Sequence, residues 1–319
     1  MIRIATIGTS TITRQFIRAA RDVRGITLAG VYSRTAATAA SAAVELDAPR
    51  WWCDLSELLA DGAVDAVYIA SPNGAHLAQS LAAVAAGKHV LVEKPAVPSA
   101  AEFESLVAAA ASHGVVVLEG MRNAYDPGTS AVRSLLPRLG AIRRASFSYS
   151  QPSARYDQVL AGQQVNIFDP RLAGGALLDL GVYCASMMVD LFGAPTRVLG
   201  STVTVGSGVD GAGAALAEYP GYVVDLSWSK ITASARPNEI QGERASLEID
   251  HVAAPRTLRL RFVDGTTENH DLDLSPANLT HEIERFVDVV AGADGTSDQH
   301  RTLQTLRVVD AIRGDTGTS

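Results

Sequence analysis

Cysteine is nearly absent. The 319 residues hold two, Cys53 and Cys184, far apart and without metal-ligating neighbours. That excludes a disulfide scaffold, gives no sign of a metal site, and suits a reducing compartment. Basic residues are outnumbered, with 27 Lys and Arg against 34 Asp and Glu, a net charge of −7 and a pI near 5.5. No basic stripe or RNA-binding motif occurs, so nucleic acid is not an expected partner. No apolar run is read as reaching the ~18 residues of a membrane span, so no membrane association is expected. The opening MIRIATIG has no charged segment ahead of a long apolar stretch and reads as a first strand rather than a signal peptide. There is no internal repeat and no linker rich in Pro, Gly or Ser. Apolar residues nevertheless reach 47%, enough for a large core. The expectation is a soluble, cytoplasmic α/β protein of two closely packed domains.

The first part of the chain alternates short apolar runs with helical patterns. Strands are expected over 2–7, 26–32, 65–70, 89–92 and 115–118, with a brief one at 50–52. Helices are expected over 12–22, 36–46, 55–60, 76–86 and 101–112, with Gly87 and Gly114 closing the last two. Apolar strands alternating with helices imply a parallel sheet covered on both faces. Beyond residue 143 strands mostly follow one another, over 145–150, 196–205, 214–218, 222–230, 239–241, 246–249, 257–262 and 267–272. One helix, over 175–191, interrupts them, and two, over 279–291 and 299–313, close the chain. The fold class expected is α/β: a parallel-sheet domain over 1–122, then an α+β domain over 123–319 with a large, mainly antiparallel sheet.

Charged and polar residues gather where strands end. Gly8-Thr9-Ser10-Thr11-Ile12-Thr13 joins the first strand to the first helix, where backbone N–H groups meet a dinucleotide pyrophosphate. The usual glycine pattern is broken by Ser10 and Thr13, so a plain strand–turn–helix fits equally well. The second strand ends in Ser33-Arg34 with no carboxylate for ribose hydroxyls. That favours NADP over NAD, since Arg34 can pair with a 2′-phosphate; the other reading is a solvated loop arginine. Ser71, Pro72, Asn73 and His76 follow the strand over 65–70. They sit at the ligand edge of an open sheet, although Asn73 also serves as an N-cap and a lone His is more often structural. Glu93-Lys94-Pro95 ends the next strand. Neighbours in a strand point to opposite faces, so a Glu93–Lys94 salt bridge weighs less than two groups facing a ligand. Asp179 and Tyr183 stand four apart within an apolar helix. They form either a buried structural pair or part of a site, because such groups are expensive to bury without polar partners.

Taken in order, these stretches resemble the Gfo/Idh/MocA family of oxidoreductases. The match is carried by Gly8 to Thr13, Ser71-Pro72-Asn73 with His76, Ala86 to Val90 running into Glu93-Lys94-Pro95, and Gly174-Gly175 with Asp179, Gly181 and Tyr183. Glu239 to Glu243 and Asp310 to Arg313 add to it. Many members carry histidine where Tyr183 stands; the tyrosine version resembles glucose–fructose oxidoreductase and the dimeric dihydrodiol dehydrogenases. The resemblance implies a Rossmann domain and an open-sheet domain that often forms dimers, here a homodimer or homotetramer. It implies hydride transfer between NADP or NAD and a sugar, polyol or related alcohol or carbonyl substrate. Lys94, Tyr183 and Asp179 are the catalytic residues implied. Gly8, Thr9, Ser10, Thr11, Ile12, Ser33, Arg34, Ser71, Pro72, Asn73, His76, Glu93, Lys94 and Arg122 are the cofactor residues. Lys94, Tyr125, Asn166, Asp179 and Tyr183 are expected to meet substrate, with Arg155, Tyr156 and Asp169 nearby.

In this expectation Tyr183 gives its proton to the carbonyl oxygen in reduction and is a tyrosinate in oxidation. An unperturbed phenol ionises near pH 10, so tyrosinate at neutral pH requires about 4 kcal/mol. One ammonium about 4 Å away, in an effective dielectric of about 20, supplies that much. Two rival readings are a relative that hydrolyses glycosidic bonds through a retained NAD, and a sensor of dinucleotide or sugar. Keeping Lys94, Asp179 and Tyr183 together argues against the sensor.

Overall fold

The computed structural model describes residues 1–274 and 279–314. The chain forms two compact units. The first begins with β1 (Ile2–Ile7), α1 (Thr11–Ala20), β2 (Ile26–Tyr32), α2 (Ala36–Glu45), β3 (Trp51–Trp52) and α3 (Leu55–Ala60). It continues through β4 (Ala66–Ile69), α4 (His76–Ala85), β5 (His89–Glu93), α5 (Ala100–His113) and β6 (Val117–Gly120). All six strands are parallel, in the order β3-β2-β1-β4-β5-β6. This is the Rossmann order, in which the strand order reverses between β1 and β4. The central strands are apolar on both faces, as helices on both sides require: Ile4, Val67, Ile69, Val90 and Val92 are fully buried. Local signals set the helix ends. Ser99 and Glu102 make a capping box at the start of α5, and Gly114 ends it in the left-handed conformation.

The second unit holds α6 (Arg122–Tyr125), α7 (Pro127–Leu135), β7 (Ile142–Ser150), α8 (Tyr156–Leu160) and α9 (Val182–Phe192), the last preceded by a π turn over Leu177–Gly181. Then come β8 (Arg197–Thr204), β9 (Asp210–Tyr219), β10 (Tyr222–Ser229), β11 (Asn238–Gly242), β12 (Ala245–Ile249), β13 (Thr257–Phe262) and β14 (Thr267–Asp271). They form one eight-stranded sheet, β14-β13-β12-β11-β7-β10-β9-β8, antiparallel throughout except for the β7–β10 pair. The core of this unit joins α9 to the sheet: every residue from Val182 to Val189 is buried, alongside Phe147, Leu226 and Trp228.

Two expectations need correction. The stretch Pro170–Phe192 is long and apolar enough to cross a membrane by length and composition, with a mean hydropathy of 1.6 over an 18-residue window. That window is 78% buried within the fold, and the stretch ends in the core helix α9. The chain changes units after Gly120, close to the boundary expected near residue 122, but a later segment returns to the first unit. Residues 279–300 belong with Met1–Gly120. The reason lies in α10 (Leu279–Val290), whose Leu279, Ile283, Phe286 and Val289 pack into the same core as Ile4, Phe16 and Tyr68. The closing α11 (Thr296–Arg313) gives its first residues to this unit and the rest, with Val308, Val309 and Ile312, to the second.

Candidate active site

In the first unit the expected cofactor residues lie along one sheet edge, at the carboxyl ends of β1, β2, β4 and β5. Gly8 follows β1 with φ +116°, and a Cβ there would lie 2.6 Å from the Ala70 carbonyl oxygen. Only glycine suits that backbone. Ser10 then takes the N-cap position of α1 in extended geometry but gives no side-chain cap bond; its hydroxyl lies 3.4 Å from that of the buried Thr13. The first N–H groups of a ten-residue helix are thus left for an anion, and the close backbone approach leaves room for a pyrophosphate. The residues present fit a dinucleotide.

After β2, the Ser33 N–H donates to the Trp52 carbonyl, Arg34 is exposed, and Thr35 caps α2 by accepting from the Thr38 N–H. No carboxylate stands between Ser33 and Ser41. A cleft of about 310 Å³ lies beside Thr9, Thr38 and Ser41, walled by Arg14 and Glu45. Arg14 pairs with Glu45 at 2.6 Å and donates to the Thr9 carbonyl at 2.7 Å.

After β4, the Ser71 hydroxyl donates to Gln79, and Asn73 opens a short 3₁₀ turn. His76 is buried. Its Nδ1 and Nε2 lie 2.9 and 2.8 Å from the carbonyl oxygens of Pro95 and Ser71, so the ring ties the loop after β4 to the loop after β5. Burial moves its pKa below the ordinary histidine value. Glu93 is buried and accepts from the Tyr68 hydroxyl at 2.5 Å and from the Lys94 N–H at 3.2 Å. Lys94 is half-buried, and its bond to Pro95 is cis.

In the second unit the helix bearing Asp179 and Tyr183 is fixed at its start by Asp210. One carboxylate oxygen accepts from the Leu177 N–H at 2.7 Å and from the Trp228 indole at 3.0 Å. Gly175, at φ +127°, lets the backbone approach; a Cβ there would lie 2.2 Å from the other oxygen. Burial raises the Asp210 pKa, against the lowering by these two donors.

Asp179 lies on the π turn, a helix irregularity often found at functional sites, and forms an ion pair with Lys230 at the end of β10. Tyr183 follows one turn later and is 5% exposed. The Arg122 guanidinium lies 5.3 Å from its ring centroid, the Tyr149 ring 5.7 Å away, and the Asn123 amide donates to its carbonyl at 3.3 Å. Tyr149 in turn stands edge-on to His251 at 4.7 Å. His251 is held below the ordinary histidine value by burial first and by the Arg122 cation second.

The second unit therefore gathers Asp179, Tyr183 and Arg122. Arg122, expected beside the cofactor, stacks against Tyr183. Of the other residues expected to meet substrate, Tyr125 carries the Arg301 guanidinium 5.0 Å over its ring, and Asn166 is exposed on a short 3₁₀ turn. Asp169 pairs with Arg171, which lowers its pKa, and Tyr156 packs on Phe168. Sequence reasoning missed Lys230, Asp210, Tyr149 and His251. Only Lys230 gave a signal, a charge closing an apolar strand as Lys94 does.

A Rossmann unit with a dinucleotide edge, and an open-sheet unit with a carboxylate on its π turn and a phenol at the start of the following helix, define a two-domain nicotinamide-dependent oxidoreductase. Residues 2–121 match the sequence model of the "Oxidoreductase family, NAD-binding Rossmann fold", and residues 132–248 match that of the "GFO/IDH/MocA C-terminal domain". The chain belongs to the GFO/IDH/MocA oxidoreductase family. It is 39% identical to the scyllo-inositol 2-dehydrogenase (NADP(+)) IolU of Bacillus subtilis, over 99% of this chain and 98% of that one. It is 31% identical to D-xylose 1-dehydrogenase (NADP(+)) 2 of Haloferax volcanii, over 89% and 88%. In fold it resembles KijD10, a 3-ketoreductase from Actinomadura kijaniata solved with NADP, with a TM-score of 0.88 at 24% identity over 98% and 97% of the two chains. The protein is an NAD(P)-dependent enzyme acting on alcohol or carbonyl groups.

Proposed function

We propose that this protein is an NADP(H)-dependent dehydrogenase of cyclic polyols or sugars in which Lys94, Tyr183 and Asp179 act on the substrate. The observation that carries the reading is the shared strand edge of the first unit. The Gly8 turn and the N-cap of α1, which makes no side-chain cap bond, open that edge, and Lys94 directly follows β5, two strands along from β1. When bound, the nicotinamide cofactor supplies the two-electron carrier.

The chain's own residues do the rest. The first N–H groups of α1 receive the pyrophosphate, with Gly8 permitting the approach and Thr9, Ser10, Thr11 and Ile12 forming the loop. Ser33 and Arg34 take a 2′-phosphate, which the lack of a nearby carboxylate favours. Ser71, Pro72 and Asn73 border the same edge, and His76 fixes its loops. Glu93, held by Tyr68, sets the backbone of Lys94. Lys94 steadies a substrate oxygen. Tyr183 gives or takes a proton, helped by the Arg122 cation near its ring, since an adjacent positive charge favours phenolate. Asp179 accepts from a second hydroxyl of the substrate.

The enzyme works in the cytoplasm as a homodimer or homotetramer, with no nucleic-acid or membrane partner. The surface proposed for assembly is the open sheet around β8 and β9, where Leu199, Val203 and Leu216 are exposed. A panel of inositols, pentoses, hexoses and dihydrodiols, assayed with NADP and NAD by absorbance of the reduced nicotinamide, tests the function. Turnover of a polyol or sugar is expected, and Lys94→Met should abolish it while most cofactor binding survives. No turnover with any of these, or near-normal turnover by Lys94→Met, refutes the assignment.

A further inference from the structure

Lys230 closes β10 with a nearly buried cation. Its ammonium pairs with Asp179, and the two side chains keep only 12% and 22% exposure. The backbone around it is pinned. The Lys230 N–H donates to Gly211, and its carbonyl accepts from Ser153, both at 2.8 Å. The preceding Ser229 hydroxyl oxygen accepts from the Ile231 N–H, the Thr232 N–H and the Thr232 hydroxyl. The strand end therefore delivers the amine to one place.

The chain on either side of the pair is apolar: Leu177, Leu178, Leu180, Val182 and Trp228 are all buried in one core. A well-packed apolar pair of similar volume usually serves a core as well as a buried ion pair does, or better. Stability alone thus gives no reason to keep Lys230 here. Nor is the pair sealed, because Asp179 keeps about a fifth of its surface exposed on the π turn that leads to Tyr183.

We propose that Lys230 is a specificity-determining residue, forming with Asp179 a two-ended clamp that holds neighbouring hydroxyl groups and selects vicinal diols over simple alcohols. This rests on the oxidoreductase reading of Asp179 and Tyr183. The chemistry of the ends is complementary. An ammonium has three donors and no acceptor, and a carboxylate accepts several bonds at once. Among the described residues Asp179 is the one hydrogen-bond acceptor for the Lys230 amine, which leaves two donors. Neighbouring hydroxyl oxygens on a ring stand about 2.8 Å apart, close to the heavy-atom spacing of a charge-assisted hydrogen bond. One hydroxyl donates to Asp179 while its neighbour accepts from Lys230. A simple alcohol engages one of these ends only and forgoes the second charged hydrogen bond.

The test compares wild type, Lys230→Met and Lys230→Arg in steady-state oxidation of scyllo-inositol and of cyclohexanol with NADP. Lys230→Met should raise KM for scyllo-inositol about tenfold or more with kcat within about threefold, the loss of one charged hydrogen bond in binding. The preference for the polyol over cyclohexanol, in kcat/KM, should shrink by a similar factor. Lys230→Arg, which restores a cationic donor, should recover most of it, and NADP affinity by fluorescence titration should stay at the wild-type value. A Lys230→Met enzyme that keeps the wild-type preference, or loses activity equally on both alcohols, overturns the clamp. If Lys230→Met does not fold by circular dichroism, Lys230→Gln, of similar length but neutral, is judged by the same KM criterion. A wild-type enzyme that turns over no polyol overturns the functional reading and the clamp with it; turnover with unshifted selectivity in the variants overturns the clamp alone.

Discussion

A β-carbon placed on Gly8 would meet the carbonyl oxygen of Ala70 at 2.6 Å. Both residues end strands that are neighbours in the first sheet, β1 and β4, where the strand order reverses. The turn after β1 is therefore tight for a local reason, and the positive φ at Gly8 adds a conformational one. Gly8→Ala should push the α1 N-terminus away from this edge. The expected result is a rise in the NADP dissociation constant of about tenfold or more, measured by quenching of protein fluorescence, with a modest fall in melting temperature. Wild-type cofactor affinity in Gly8→Ala would remove the loop from the cofactor site.

Arg34 offers a test of cofactor choice. It is exposed beyond β2, where no carboxylate is available for ribose hydroxyls. A guanidinium paired with a 2′-phosphate makes charge-assisted hydrogen bonds that NAD cannot form. Arg34→Ala should raise KM for NADP by about tenfold or more and leave KM for NAD within about twofold. Equal effects on both cofactors would make Arg34 a general stacking or loop residue.

Much of the fold, and the candidate site residues, were legible because polar residues interrupt apolar patterns. The strands over 2–7, 26–32 and 257–262 begin and end where alternation and turn residues place them. Lys94 stood out as a charge at the end of a buried strand, and Tyr183 and Asp179 as polar groups in an apolar helix. What escaped has partners distant in sequence. Lys230 and Asp179 are 51 residues apart and Asp210 and Leu177 are 33, so neither pair leaves a local pattern. The π turn is one extra residue in a helical turn and has no periodic signature. The short helices α6 and α7 lie in a stretch rich in polar residues, Pro127 and Gly128, which reads as loop; Asp126 caps α7 by accepting from the Gly128 N–H. The helix α10 was legible as a helix, but its apolar stripe does not say which of two cores it enters.

Tyr183 can be separated from its neighbours by the pattern of loss. Tyr183→Phe removes the hydroxyl and keeps the ring that Arg122 and Tyr149 pack against. If the phenol moves the proton, kcat should fall by about a hundredfold or more, while substrate KM and melting temperature change little. Arg122→Met keeps length but deletes the cation. It should move the alkaline-favoured oxidation profile to higher pH, because the phenolate loses a stabilising charge. A Tyr183→Phe enzyme with more than about a third of wild-type kcat would exclude Tyr183 as the proton donor.

Asp210 is a positioning residue, and its effect should be readable as stability. Its carboxylate holds the start of the π turn through the Leu177 N–H and braces Trp228 through the indole. Asp210→Ala leaves both donors buried without that acceptor, at a cost of about 1–3 kcal/mol for each. A loss of about 2–5 kcal/mol in urea unfolding is expected, with impaired turnover because Asp179 lies on the same turn. Asp210→Asn keeps one acceptor oxygen and should lose much less. The pH dependence separates the two variants from the parent. Burial raises the folded-state pKa of Asp210 above its ordinary carboxylate value of 3.8. The folded protein therefore binds this proton more tightly than the unfolded chain does. The associated stability is fully present below pH 3.8 and is lost as pH rises through the higher folded value. Asp210→Asn has no such proton. Relative to wild type, its stability should improve as pH rises across that window and stay level above it. A difference between the two that is flat from acid to neutral pH would show that Asp210 titrates alike in the folded and unfolded chain.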